Sequence, residues 1–244
     1  MRQARTKRYQ KGLTLIEIMI ALLIGAFLLG GVLQIFIGTK QTNKMQEGLS
    51  RLQENGRFAI DFLAKDIRVA GYKECLNFSF SVPTPITGTN DTGTYTSDTI
   101  TIQTAGACAA TLANTPVSAT TYSIQTGAGG QPAFFVKNDT IVNGVVTSGT
   151  AQELVEGIEN MQIFYGVDTN TPHDGANYYV SANQVTTSAW PNVISVRISL
   201  LAASDDNLSS QAVDYTYNST TATTPTDLKI RRVFNATIAI RNRM

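Results

Sequence analysis

Histidine is almost absent from this chain: its 244 residues include one, His173, set between Pro172 and Asp174. A Ser-His-Asp triad or a multi-histidine metal site would have to be built on that single imidazole, so a histidine in a surface loop is the expectation. Cysteine is nearly as scarce, and Cys75 and Cys108 by themselves give a metal too few ligands. A charge excess is missing too. The formal net charge is +1, and without the five cations of the extreme N-terminus 14 basic residues face 18 acidic ones, which leaves no basic face for nucleic acid. The run Thr126-Gly127-Ala128-Gly129-Gly130-Gln131-Pro132 lacks the Lys-Ser/Thr ending and the strand-loop-helix order of a phosphate-binding loop, and reads as a turn. Nothing here implies an enzyme, a cofactor or a specific nucleic-acid partner.

What is present is concentrated near the start. Arg2, Arg5, Lys7, Arg8 and Lys11 come with no acid among them, and from Leu13 to Leu33 every residue is apolar, Gly or Thr except Glu17. A secretory leader has an apolar run of about 7 to 15 residues ending in a small-residue cleavage site. This run is about 21 residues long and continues into a polar helix, so it is expected to stay as a membrane anchor. The cations on its N-terminal side place residues 1–11 in the cytoplasm and the C-terminal bulk outside. A carboxylate at mid-bilayer costs roughly 2.5 to 3.5 kcal/mol to insert, which makes Glu17 a functional candidate in need of a partner.

The residues Gly12-Leu13-Thr14-Leu15-Ile16-Glu17 resemble the class III signal of type IV pilins and pseudopilins. The resemblance implies that a prepilin peptidase cuts after Gly12 and methylates the new amine of Leu13. It also makes Glu17 the assembly acid at the fifth mature position, paired with a neighbouring subunit. The usual first mature residue of that family is Phe, from which Leu13 departs. Three longer blocks, Glu54 to Tyr72, Glu153 to Asp168 and Arg231 to Arg243, resemble the PilW family of minor pilins in particular; residues 73–150 carry no such likeness.

Beyond the anchor, Met45, Leu49, Leu52, Gly56, Ala59, Leu63 and Ile67 recur at spacings of three and four and define one helical stripe. The helix therefore continues, with Gly71 as its C-cap. Gly25, Gly30, Gly31 and Gly38 interrupt the apolar half, each costing about 1 kcal/mol relative to Ala, and mark a stretch able to unwind or to allow close helix contact. From Tyr72 onward strand patterns take over. Ile100 and Ile102 alternate with threonines, as do Ile194, Val196, Ile198 and Leu200 with polar residues, and then Phe234, Ala236, Ile238 and Ile240. Thr140 to Thr147 reads as a hairpin on Asn143-Gly144, and Pro83 to Thr96 as loop.

Two cysteines in an exported chain favour a bond between Cys75 and Cys108 over two free thiols. Closing that loop would be worth roughly 3.5 to 4 kcal/mol. Asp168, Asn170 and Asp174-Gly175 resemble a calcium loop in outline, but the Asp-Gly pair arrives two residues late, and a polar turn is the plainer reading.

The fold class expected is α+β, type IV pilin-like: a long N-terminal α-helix packed on an antiparallel β head. Its parts are a cleaved leader (1–12), a transmembrane and polymerisation half of the helix (13–36), an amphipathic half (37–71) and a periplasmic head (72–244). The PilW resemblance implies a minor pilin of an assembly-priming complex near the pilus tip, serving pilus biogenesis in twitching motility, adhesion or DNA uptake. Its partners would be prepilin peptidase, other minor pilins, the major pilin, a tip adhesin and, before assembly, the inner membrane. A J-type pseudopilin of a type II secretion system and an adhesin-presenting binding subunit, with 73–150 as its surface, stand as alternatives.

Overall fold

The computed structural model describes residues 12–74, 82, 84–106, 115–170 and 175–243. The chain divides into two compact units, Met1–Gln46 and Glu47–Met244. A single helix, α1 (Leu15–Arg68), contributes to both and runs unbroken across Gly25, Gly30, Gly31 and Gly38. It ends where the sequence asks it to. Gly71 takes φ +74°, the left-handed conformation that a side chain disfavours, and its N–H donates to the carbonyl of Gln103 at 2.8 Å.

In the first unit the helix has no core to face. From Gly12 to Gln46 every residue is exposed except the half-buried Gly25. In the second unit α1 buries Leu52, Gly56, Ala59, Leu63 and Ile67 of the stripe read from spacing and adds Ala64, whereas Leu49 is only half-buried and Met45, in the first unit, is exposed, so burial begins later than the spacing predicted.

Two antiparallel sheets complete the second unit. The first holds β1 (Ile86–Thr89), β2 (Thr99–Ala105), β3 (Val117–Thr126), β4 (Pro132–Val142), β5 (Val145–Thr147) and β6 (Gln152–Glu156). Its order is β1-β2-β3-β4, and the long β4 then pairs with β6 over its first half and with β5 over its last residues. The second sheet, β10-β9-β7-β8, comprises β7 (Ile158–Val167), β8 (Tyr178–Val180), β9 (Val193–Ala203) and β10 (Arg231–Ala239). Inward-facing Ile100, Ile102, Tyr122, Ile124 and Phe134 of the first sheet share one core with Met161, Ile163, Tyr165, Val196, Ile198, Leu200 and Ile238 of the second and with the helix stripe. The alternation expected at β2, β9 and β10 is therefore burial on a common core.

Asn143 and Gly144 have φ of 52° and 76°, so the hairpin turn has the doubly left-handed form that suits an Asn-Gly pair. The glycine run is the turn between β3 and β4, closed by the Gly127 N–H on the Gln131 carbonyl at 2.8 Å. One expectation is overturned. Pro83 to Thr96 is not all loop, because Ile86–Thr89 pairs with β2, Ile86 opposite Ile102, and buries Ile86. A four-residue strand with one buried apolar side chain shows no period, and only its neighbour's free edge makes it a strand.

The two sheets are tied by Ser97 and Asp98, both buried. Their side chains accept the N–H groups of Met161 (3.0 Å) and Ile163 (2.7 Å) along the part of β7 that β8 does not reach. The N–H of Asp98 in turn donates to the Met161 carbonyl at 2.9 Å. Burial raises the Asp98 pKa, against the lowering effect of the N–H groups of Asp91 and Ile163. On the first sheet, the Tyr122 hydroxyl donates to Asp66 on α1 at 2.8 Å while its ring stacks on Phe134, with centroids 5.2 Å apart. Burial foremost, then this hydrogen bond, pushes the Tyr122 hydroxyl far above its ordinary range.

Candidate functional site

Gly12 and Leu13 lie exposed just before α1, and nothing stands within 4 Å of a Cβ added at Gly12. A backbone this open can be approached closely by a peptidase. The Thr14 carbonyl accepts the N–H groups of Glu17 (3.1 Å) and Ile18 (3.3 Å) and so starts the helix. Glu17 thus sits in the first turn, where unpaired N–H groups and the helix dipole favour an anion. Behind it, exposed Leu15, Ile16, Ile18, Met19, Ile20, Leu22, Leu23, Ile24 and their successors to Ile37 surround the helix with apolar surface. Ala21, Gly25 and Ala26 make a shallow groove in that surface between Ile18, Leu22 and Leu29. Among the described residues this is one helix long and apolar enough to cross a membrane, and none of its apolar window is buried. The apolar part ends at Gly38, where the hydroxyls of Thr39 and Thr42 turn back onto the carbonyls of Ile35 and Gly38.

Other expected positions fall differently. Cys75, Cys108 and His173 lie outside the described residues. Asp168 is buried, with one oxygen accepting the Asn170 N–H at 2.8 Å and the other 3.5 Å from the Gly175 nitrogen, while Asp174 lies outside the described residues. Among the described residues no group of three or more His, Cys, Asp or Glu could hold a metal.

The structure also brings forward residues that sequence reasoning passed over. Phe58 and Phe62 lie off the buried stripe, 41% and 37% exposed, with ring centroids 4.5 Å apart. Their four-residue spacing, continued by exposed Val69, is a second helical stripe that could have been read from the sequence. Arg231, at the start of β10, is almost fully buried in a double fork, with nitrogens 2.6 and 2.9 Å from Glu159 and 2.7 and 2.8 Å from Asp227. Hydrogen bonding to Arg231 holds the Asp227 carboxyl below its ordinary value. The pair pins the end of the long strand-free connection between β9 and β10.

A retained apolar helix opening on one acid, with an exposed glycine before it and a head of antiparallel sheets after it, defines a pilin-like, membrane-anchored subunit. Two family models agree. Residues 7–33 match the model of the prokaryotic N-terminal methylation motif, and residues 121–242 match that of type IV pilus-assembly protein W. The chain belongs to the PilW family. Among solved structures, a type IV-like pilin from Thermus thermophilus is similar at 15% identity and a TM-score of 0.48, covering 79% of this chain and 97% of its own. No curated protein matches the sequence significantly.

Proposed function

We propose that this protein is a minor pilin, cut by prepilin peptidase between Gly12 and Leu13, methylated at the Leu13 amine, and built into a priming complex with other minor pilins at the growing end of a pilus. The observation that carries this reading is the stretch of α1 from Leu15 to Leu33, apolar on every side, uncovered, and interrupted by Glu17 alone. Apolar surface of that extent belongs first in the inner membrane, with residues 1–12 as a cytoplasmic leader, and then in a bundle of like helices. Residues 13–36 serve as the anchoring and polymerising half, 37–71 as the amphipathic half, and 72–244 as a periplasmic head stapled by Cys75–Cys108.

In that bundle Glu17 faces the problem of any ion in an apolar layer. It stays charged only beside a cation, and the amine that cleavage creates at Leu13 of an adjacent subunit supplies one. Removing one partner of such a pair strands the other at a cost of roughly 3 to 5 kcal/mol, which makes the pair a register device. The exposed rings of Phe58 and Phe62 offer a second contact on the same helix. Glu17→Ala is expected to leave membrane insertion, cleavage and head folding intact and to abolish docking with the other pilins. Co-purification of the processed variant with its partner pilins at wild-type levels would sink the assignment of Glu17.

A further inference from the structure

We propose that the outer face of the four-stranded sheet is a binding site for a carboxylated sugar. On the side of the sheet turned away from the core, Arg197 of β9 stands between Phe164 of β7 and Thr237 of β10, and Ser199 stands between Gln162 and Asn235. The connection between β9 and β10 returns over this face and is planted on it by two residues. The Tyr217 hydroxyl lies 2.9 Å from the Ser199 carbonyl, and the Asn218 amide donates to the side-chain oxygen of Gln162 at 3.2 Å. Asn218 takes φ +47°, a left-handed conformation that Asn tolerates and most residues avoid. The result is a groove of about 460 Å³, lined by Phe164, Arg197, Ser199, Asn218, Asn235 and Thr237.

The cation in this groove is held ready. The Arg197 guanidinium carbon lies 4.2 Å from the centre of the Tyr179 ring, and that ring is fixed by its hydroxyl, 3.0 Å from Ser195 Oγ. Stacking on an aromatic face leaves the in-plane N–H groups of a guanidinium available, and these match the two oxygens of a carboxylate. Among the described residues no acid pairs with Arg197. The contrast is Arg231, whose N–H groups are taken by Glu159 and Asp227.

The rest of the lining suits a ring of hydroxyls. Asn235 accepts from Ser199 Oγ at 2.7 Å through its oxygen, which leaves its amide nitrogen to donate. Asn218 is engaged through its nitrogen, which leaves its oxygen to accept, and the Thr237 hydroxyl does either. Phe164 adds an apolar floor for the C–H face of a pyranose. A peptide is the poorer fit. The backbone groups of β9, the strand that carries Arg197 and Ser199, are used by β7 and β10, so the floor of the groove offers a peptide side chains and not main-chain partners.

This site does not depend on the assembly reading, and its test can fail without touching it. The full-length protein in detergent micelles is titrated by isothermal calorimetry with a hyaluronan tetrasaccharide, digalacturonate and 3′-sialyllactose, each against a carboxyl-reduced counterpart, and with a hexaglutamate peptide. The expected result is saturable binding of at least one acidic sugar, weakened roughly tenfold or more on carboxyl reduction, and equally by Arg197→Gln and by Asn235→Asp. Both side chains are exposed, and circular dichroism confirms that each variant is folded. The ligand comparison needs no variant at all. The proposal is overturned if none of the three sugars binds saturably, if reduction leaves affinity unchanged, if Arg197→Gln binds as the wild type does, or if hexaglutamate binds through Arg197 as tightly as the sugars.

Discussion

At the scale of single residues, charge placement separates the roles. Glu17 lies exposed in the first turn of an apolar helix, Asp98 where backbone N–H groups satisfy it, and Arg231 where two acids do. Gly12 is defined by what it lacks, and Gly12→Val is expected to yield a membrane-inserted precursor that retains the basic leader, as intact mass of the membrane form would show. Arg231→Met leaves the part-buried Glu159 unpaired, so a loss of roughly 3 to 5 kcal/mol in chemical denaturation is expected. The pH dependence carries a sign. Asp227 has a folded pKa depressed below 3.8 by Arg231, so its contribution is present above that value and is lost as pH falls through the folded pKa. Asp98 is raised and works the other way, its charge lowering stability as pH rises from 3.8 through its folded value. Arg231→Met should therefore flatten the loss of stability as pH falls below 3.8, measured as Tm against pH.

Among elements, α1 shows how one helix meets two surroundings. Within the head its buried face is lined by small residues where head side chains come close. A Cβ on Gly56 would run into the Phe234 ring, and one on Gly48 into Leu208. Gly is otherwise a poor helix former, so at position 56 it is kept for space rather than flexibility. Gly56→Val is expected to lower head stability by about 1 to 3 kcal/mol through overpacking. In a double-mutant cycle with Phe234→Ala the two losses should fall well short of additive, because the second substitution vacates the space the first one needs. Additive losses would mean that the ring does not set the requirement for Gly56.

For the whole molecule, the division at Gln46 and Glu47 separates a unit with no buried side chain among its described residues from one that holds the core. Among the described residues, none of 12–46 belongs to the core shared by α1 and the two sheets. A chain beginning at Glu47 is therefore expected to be soluble without detergent and to unfold cooperatively, within about 1 kcal/mol of the head in the full-length protein. Loss of the cooperative transition on this truncation would show that the anchoring half takes part in the fold of the head.

The anchor was determined by sequence alone, because transfer into lipid depends on composition and length: basic leader, Gly12 and the 21-residue run from Leu13 to Leu33 with its one acid suffice. So were the stripe from Leu52 to Ile67 and the Asn143-Gly144 turn, where period and φ preference are local properties. Tertiary structure decided what depends on distant neighbours. β1 became a strand because β2 had a free edge. Arg231 became buried because Glu159 and Asp227, 72 and 4 residues away, converge on it. Arg197 and Asn235 came to share a groove because β9 and β10 align in register while the connection between them folds back over that face. No window of sequence contains those pairings, since strand register and loop return are fixed by packing and not by local propensity.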